Sequence, residues 1–250
     1  MKPALQDLLL ELPSCWSDLP SGLFVQKQIE RHLNPWLPKV FGYHFLKLGR
    51  LSTAINTTNC SIKHQVNVGN EGHNLGVLAD IHHLPFSENS VDGILLAQSL
   101  DFTSDPHQVL REAHRVLIPD GYIFITGFNP ISLTGICRYL PGMKKNLLNN
   151  ARFFSVNRIG DWLNLLGCEV IDDSRFILSP LTGGSNKYKP KFLRQSWFSS
   201  LSYKYFNRLG SVYLIVARKR ELPLTPIKPK WKVKPKLQTV TNVRIKAGVD

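Results

Sequence analysis

The fold is decided between residues 78 and 130, which read "LADIHHLPFSENSVDGILLAQSLDFTSDPHQVLREAHRVLIPDGYIFITGFNP". Residues 91–98 are a near-continuous apolar run, which is typical of a strand buried on both faces of a sheet. Residues 122–128 repeat that pattern. Residues 118–121, "IPDG", predict a turn because proline and glycine stand where a turn accepts them. The stretch therefore predicts two buried, parallel strands.

A helix is predicted between these two strands. Ser104 or Asp105 can cap its first turn, and Pro106 stands at the first helical position, where a missing N–H costs nothing. The apolar residues that follow recur at helical spacing and form one stripe; they are Val109, Leu110, Ala113, Val116 and Leu117. Glu112 and Arg115 lie three apart on this helix and predict a surface ion pair.

Strand and helix signals continue on both sides of this stretch. Further strands are predicted at residues 44–48, 64–68, 75–80, 168–178 and 211–219. One helix is predicted to begin after Ser21 and to end near Pro35, and another to begin after Ser155 and to end at Gly167. Strands that alternate with capped helices predict an α/β fold with a doubly wound, mostly parallel sheet and helices on both faces.

Composition narrows the class of protein. The chain has 250 residues, of which 43% are apolar, enough for one sizeable core. No uncharged apolar run approaches the roughly 20 residues of a membrane span. The four cysteines lack metal-ligand spacing and are predicted to be free thiols in the reducing cytoplasm. His82 and His83 have no third ligand at a workable spacing, so we expect no metal site.

The basic charge is concentrated near the end of the chain. The formal net charge is +13, and from Leu222 onward there are seven lysines and arginines against one acidic residue. Prolines interrupt this segment, so residues 221–250 are predicted to be a disordered basic tail. Such a tail could bind nucleic acid or another polyanion, or serve only as a solvated surface. Both interpretations stay open.

The stretch 78–130 resembles the class I S-adenosylmethionine-dependent methyltransferases of the type 11 group, near the quinone-biosynthesis methyltransferases. The positions that carry the resemblance are Asp80, Leu84-Pro85-Phe86, Val91-Asp92, Asp105-Pro106, Leu110, Glu112, Arg115-Val116-Leu117, Pro119 and Gly121. The later segments "GFNPISLTG" and "FSVNRIGDWLNLLGCEV" resemble an uncharacterised bacterial subgroup. The resemblance implies a seven-stranded, Rossmann-like methyltransferase domain at residues 39–220, preceded by a helical segment at residues 1–38.

The resemblance also implies a set of cofactor-binding residues. Asp80 corresponds to the carboxylate that accepts a hydrogen bond from the adenine amino group, and the backbone N–H of Ile81 to the donor for a ring nitrogen. Gln98 corresponds to a position at the methionine end of the cofactor. Gly49 corresponds to the first glycine of the first motif, and Asn67 to the ribose-binding position. The implied cofactor is S-adenosylmethionine.

The first motif departs from the family pattern. Lys47 stands in the slot of an acidic residue, and Leu51 and Thr53 stand in two glycine slots, where the backbone would approach the cofactor closely. Asn67 replaces a ribose-binding carboxylate, so it can hydrogen-bond a diol without a full negative charge. These changes predict weaker or altered cofactor binding.

The resulting hypothesis is methyl transfer from S-adenosylmethionine to a small-molecule acceptor. Asp101 and Asn129 follow the fourth and fifth predicted strands and are the candidates for acceptor contacts. Residues 183–208, which contain apolar residues at helical spacing among basic ones, predict either a lid or a helix packed on the sheet. Two alternatives remain: a non-catalytic protein with a degenerate cofactor site, and an RNA-directed methyltransferase that uses the basic tail.

Overall fold

The structure, a computed structural model, describes residues 12–71, 74–137, 147–177, 181 and 209–221. Seven strands form one sheet in the order β3-β2-β1-β4-β5-β7-β6. The strands are β1 (His44–Leu48), β2 (His64–Gly69), β3 (Val77–Leu78), β4 (Val91–Ala97), β5 (Leu117–Phe128), β6 (Cys168–Phe176) and β7 (Val212–Lys219). Residues 183–208 and 222–250, which carry the predicted lid and nearly all of the predicted tail, lie outside the described residues.

The sheet is mostly parallel, as the sequence predicts. β1 pairs in parallel with β2 and β4, β2 with β3, and β4 with β5. Only β7 runs against its neighbours, since it pairs antiparallel with both β5 and β6. The predicted seven-stranded, doubly wound fold is confirmed.

Helices connect the strands and cover the sheet. They are α1 (Gly22–Leu33), α2 (Arg50–Thr53), α3 (Pro106–Val116), α4 (Leu133–Cys137), α5 (Leu147–Asn150) and α6 (Val156–Leu165). The predicted caps of α3 and α6 are confirmed, because Asp105 accepts from two backbone N–H groups and Ser155 accepts from one. Ser21 does not cap α1 through its side chain, and its backbone adopts a left-handed φ of 56° instead of the extended conformation of a capping residue. No described helix is long and apolar enough to cross a membrane.

The turn predicted at residues 118–121 lies inside β5. β5 pairs with β4 at Leu117 and again from Tyr122 onward, and between these points the register shifts. The proline and glycine therefore form a bulge within one long strand, in which Asp120 takes a φ of 63°. The prediction of a turn was wrong in that the strand continues through it.

The two faces of the sheet bury different side chains. On one face, Phe45 and Phe124 pack in a cluster with Ile29 of α1 and with Trp16. On the other face, their strand neighbours, such as Leu46 and Ile123, pack against α3 and α6. Successive side chains of a strand point to opposite faces of the sheet, so both faces carry apolar residues against which helices pack. The segment before β1 contributes Trp16 and Ile29 to the first cluster. The domain boundaries predicted at residues 38 and 220 stay predictions.

Candidate functional site

A cavity of about 290 Å³ lies at the carboxyl ends of β1 and β4. In doubly wound sheets this edge is where ligands bind, because neighbouring strands wind away from each other there and leave a crevice. Four of the residues predicted to bind the cofactor line the cavity: Gly49, Asp80, Ile81 and Gln98. The fold therefore brings together residues that stand up to 49 positions apart in the sequence.

Asn67, the fifth predicted cofactor residue, is not among the residues that line this cavity. Its side-chain amide donates a hydrogen bond to the carbonyl oxygen of Asn74 at 2.8 Å. The contact fastens the loop that follows β2. Asn70, three positions further along, lines the cavity instead.

The two predicted acceptor contacts, Asp101 and Asn129, are buried and are likewise not among the lining residues. Asp101 Oδ2 accepts from the backbone N–H of Phe128 at 3.0 Å. Asn129 Nδ2 donates to the carbonyl oxygen of Gly210 at 2.9 Å, and Asn129 Oδ1 accepts from the N–H of Ile131 at 3.1 Å. Both side chains fasten the chain where β5 ends, and their role toward an acceptor stays a prediction.

Gly49 forms the bend between β1 and α2. Its φ of 89° lies in the left-handed region, which glycine adopts without strain. Its N–H donates to the carbonyl oxygen of Val68 on β2 at 2.9 Å. The chain then enters the short helix α2 directly, so the bend presents backbone to the cavity.

Two serine hydroxyls, which sequence reasoning missed, hold this bend against β4. Ser52 Oγ donates to the carbonyl oxygen of Leu48 at 2.6 Å and accepts from the N–H of Ala97 at 2.7 Å. Ser99 Oγ donates to the same carbonyl at 2.7 Å. Both serines are buried. These contacts fix the floor of the cavity, and their only sequence signal is a small polar residue shortly after each strand.

The residues that depart from the family's first motif have structural roles. Lys47 is buried and its ammonium donates to the carbonyl oxygen of Ile55 at 2.9 Å, while desolvation lowers the pKa of this amine. Leu51 packs in the core. Thr53 Oγ1 donates to the carbonyl oxygen of Arg50 within α2. In the acidic slot, then, a structural lysine replaces a ligand-binding carboxylate.

Asp80 lies in the turn that follows β3, and one oxygen of its carboxylate, Oδ1, is hydrogen-bonded to His82. Asp80 Oδ1 accepts from the backbone N–H of His82 at 2.9 Å and lies 2.6 Å from Nδ1 of the same histidine. Partial desolvation raises the pKa of Asp80, but these hydrogen bonds outweigh that effect and the net pKa is lowered. The group is therefore an anion at neutral pH.

Glu112 and Arg115 form more than the surface ion pair that their spacing predicts. Arg115 donates to both carboxylate oxygens of Glu112 and also to the carbonyl oxygens of Leu84 and Phe86. Glu112 in turn accepts from the N–H of Leu84 at 3.0 Å. The pair holds the Leu-Pro-Phe turn onto α3, so two separate motifs of the sequence form one clamp next to the Asp80 turn.

Gln98 is fully buried at the end of β4 and adopts a φ of 52°, which is uncommon for a residue other than glycine. Its Oε1 accepts from the hydroxyl of Thr126 at 2.6 Å. Within the described part of the chain, Nε2 has no hydrogen-bond partner. A buried donor without a partner costs free energy, so a ligand that accepts from it gains correspondingly.

Comparison with known proteins places this geometry in a family. Residues 42–125 match the family model described as a methyltransferase domain. Over 249 residues the chain is 45% identical to "Uncharacterized protein YafS" of Escherichia coli (strain K12), which covers 100% of this chain and 95% of that protein. The chain is a methyltransferase-domain protein of the YafS family.

Two further relatives place this YafS family member more broadly. It is 30% identical over 105 residues to a malonyl-[acyl-carrier protein] O-methyltransferase of Laribacter hongkongensis, a match that covers 41% of this chain and 35% of that one. Its fold is similar to that of a SAM-dependent methyltransferase of Archaeoglobus fulgidus, with a TM-score of 0.53 and 17% identity, over 78% of this chain and 94% of that one.

The family implies S-adenosylmethionine as the cofactor, and the residues of the cavity fit it. Gly49 leaves a bare backbone at the bend, Asp80 brings a carboxylate to the wall, and Gln98 also lines the cavity and has a buried amide donor without a partner among the described residues. A molecule with an amino-purine at one end and a carboxylate at the other has complementary groups. The cavity floor, fixed by the serine hydroxyls, holds these three groups in place.

Proposed function

We propose that this protein is an S-adenosylmethionine-dependent methyltransferase that acts on a small-molecule acceptor. The observation that carries the proposal is that Gly49, Asp80, Ile81 and Gln98, the residues that the resemblance implies for the cofactor, line one cavity at the carboxyl ends of β1 and β4. The Gln98 amide is fully buried and its Nε2 has no hydrogen-bond partner among the described residues, which natural proteins rarely allow without a functional reason. The family match and the fold are consistent with this chemistry.

Within the proposal, each lining residue has one role. The Asp80 carboxylate accepts from the adenine amino group and the N–H of Ile81 donates to a ring nitrogen. Gln98 Nε2 donates to the carboxylate at the methionine end, since Thr126 occupies its oxygen. Gly49 keeps side-chain atoms away from the cofactor, and Asn67 contributes only through the loop that it fastens to Asn74.

Bound S-adenosylmethionine brings a methyl group on a sulfonium, which is already an activated leaving group. The protein's tasks are then to align the acceptor and to exclude water. Leu51, Ala97 and Phe102 form apolar parts of the cavity wall. In the proposal, Asp101 and Asn129 shape the acceptor side by fixing the chain beyond β5.

We also propose that the protein works in the cytoplasm, and nucleic-acid binding through the basic tail remains an alternative. The free thiols of Cys15, Cys60 and Cys168 suit a reducing compartment. The RNA-directed alternative predicts RNA binding that falls steeply with salt and weakens on deletion of residues 222–250. A gel-shift titration at two salt concentrations, with the full chain and the deletion, decides between them.

A non-catalytic role is the second candidate function, and the first motif favours it. Lys47 donates to the carbonyl oxygen of Ile55, and Leu51 packs in the core. The first slot therefore lacks the acidic residue of the family pattern, and the second lacks its glycine. A protein of this kind would keep the fold without binding the cofactor.

Calorimetric titration with S-adenosylmethionine and S-adenosylhomocysteine tests the proposal. We expect heat of binding and a rise in the unfolding midpoint with either ligand. Gln98→Asn shortens the side chain and breaks its hydrogen bond with Thr126, and it is expected to weaken binding at least about tenfold, the effect of one lost hydrogen bond to a charged group. Gln65→Asn on β2 is the matched control, because the Gln65 amide bonds only within its own loop.

The contradictory outcome is clear-cut. No heat and no thermal shift at millimolar ligand would support the non-catalytic candidate and overturn the enzyme proposal. Mass spectrometry of the purified protein provides an independent readout, since a bound adenosyl compound would show that the cavity accepts the cofactor.

A further inference from the structure

Three side chains form a hydrogen-bonded chain along the wall of the cavity. Asp80 Oδ1 lies 2.6 Å from His82 Nδ1, and His82 Nε2 lies 2.7 Å from Thr103 Oγ1. All three residues line the cavity. The chain links the turn after β3 to the loop after β4, which are the two sides of the adenine end in the proposed function.

The proton between Asp80 and His82 has a fixed place. An ionised Asp80 can only accept, so His82 Nδ1 carries the proton between them. His82 Nε2 shares a second hydrogen bond with the hydroxyl of Thr103, which can donate to a neutral ring or accept from a protonated one. Thr103 thereby fixes which ring nitrogen faces Asp80, in the way that a second partner orients a catalytic or metal-binding histidine.

His82 and Thr103, which hold Asp80, are fixed by further hydrogen bonds, whereas Asp80 itself is more exposed. The side chain of Asp80 is 55% exposed, whereas that of His82 is 22% exposed. The carbonyl of His82 accepts from Gln108 Nε2 on α3, and the carbonyl of Thr103 accepts from Arg152. A half-exposed carboxylate would otherwise sample several rotamers, and fixing it before a ligand arrives lowers the entropy cost of binding.

We propose that His82 is a positioning residue that presents Asp80 for recognition of a 6-amino purine. His82 occupies Oδ1 through its backbone and its ring, so Oδ2 remains as the acceptor that faces the ligand. A carboxylate held in this way accepts from an amino group but repels a 6-oxo group. This inference rests on the proposed function, because it assumes that the cavity binds the adenosyl cofactor.

The test compares S-adenosylhomocysteine with S-inosylhomocysteine, in which a 6-oxo group replaces the 6-amino group and N1 carries a proton. Calorimetry gives the Kd of each ligand for the wild type and for His82→Ala, His82→Asn and Thr103→Val. The exposed neighbour His83→Ala is the matched control. Unfolding midpoints without ligand show whether each variant is folded.

We expect the wild type to bind the amino ligand more tightly than the oxo ligand. His82→Ala should weaken the amino ligand about tenfold and leave the oxo ligand nearly unchanged, since only the amino group uses Asp80. His82→Asn should recover most of the loss, because its amide N–H can replace Nδ1–H. Thr103→Val should cost about threefold in Kd, and His83→Ala should cost nothing.

The outcomes separate this inference from the function on which it rests. If the wild type binds neither ligand, the proposed function fails and this inference fails with it. If the wild type binds but His82→Ala keeps the same preference for the amino ligand, only the positioning role is overturned. An equal loss of both ligands that His82→Asn does not recover would also overturn it, since that pattern describes a merely structural contact.

Discussion

A Cβ atom added at Gly49 would lie 2.7 Å from the hydroxyl oxygen of Ser99. That hydroxyl cannot move aside freely, because it donates to the carbonyl oxygen of Leu48 at 2.7 Å. Separation below 3.0 Å is closer than real Cβ contacts come, and the positive φ at Gly49 adds backbone strain for any other residue. Of the glycines in the family's first motif, the one that remains is therefore the one that this packing requires.

Gly49→Ala should destabilise the fold by about 1–3 kcal/mol and distort the bend at the cavity. Urea unfolding gives the free energy, and titration with S-adenosylhomocysteine gives the effect on the site. Gly160→Ala is the matched control, since a Cβ there meets nothing within 4 Å in the middle of α6. It should be neutral or stabilising by up to about 1 kcal/mol. Equal stability of both variants would contradict the close contact.

Thr126→Val should weaken ligand binding about threefold to tenfold, because Gln98 then loses the hydroxyl that orients its amide. Thr126→Ser keeps the hydroxyl and should bind as the wild type does. Calorimetry on the three proteins checks this. Unchanged affinity in Thr126→Val would show that packing alone orients the Gln98 amide.

Lys47→Glu restores the charge sign of the family's acidic slot and should nevertheless destabilise the protein by about 3 kcal/mol or more. The carboxylate would be buried against the carbonyl oxygen of Ile55, where Lys47 now donates. Lys47→Met keeps the volume and should stay within about 1.5 kcal/mol of the wild type. Denaturant midpoints of the two variants measure the difference, and a fully stable Lys47→Glu would mean that the slot still accepts an acidic residue.

Stability should fall between pH 9 and 11 in a way that depends on Cys168. Burial raises the pKa of this thiol to about 11 from a usual value of 9.0. In that window the unfolded chain releases a proton that the native chain retains, so the free energy of unfolding decreases as pH rises. The contribution of this group is about 1 kcal/mol per pH unit.

The variant Cys168→Ala isolates this effect. Its stability relative to the wild type should improve by about that amount between pH 9 and pH 10, measured by urea unfolding at each pH. Parallel curves for the wild type and Cys168→Ala would contradict the raised pKa.

The parts of the fold that the sequence predicts are those with a local cause. Asp105 and Pro106 mark the start of α3 because both the cap and the missing N–H act within one turn. The apolar runs of β4 and β5 follow from burial on both faces of the sheet. The "IPDG" segment misleads for the same reason: its local preference for a turn is real, but pairing with β4 on both sides carries the strand through it.

The parts of the site that the sequence does not predict depend on register between distant strands. Ser52 contacts Ala97 because β1 and β4 lie side by side, although 45 positions separate the two residues. The arrangement around His82 depends in the same way on Thr103, across a gap of 21 positions. The resemblance implied that Gly49, Asp80, Ile81 and Gln98 belong to one site, and it could not predict which of their atoms are already occupied.

The direction of β7 has a further consequence. Because β6 ends and β7 begins at the edge of the sheet that holds the cavity, the chain between Phe176 and Val212 leaves and returns on the same side. Relatives of this protein could therefore vary that connection in length without disturbing any strand pairing, because both of its ends are fixed on neighbouring strands.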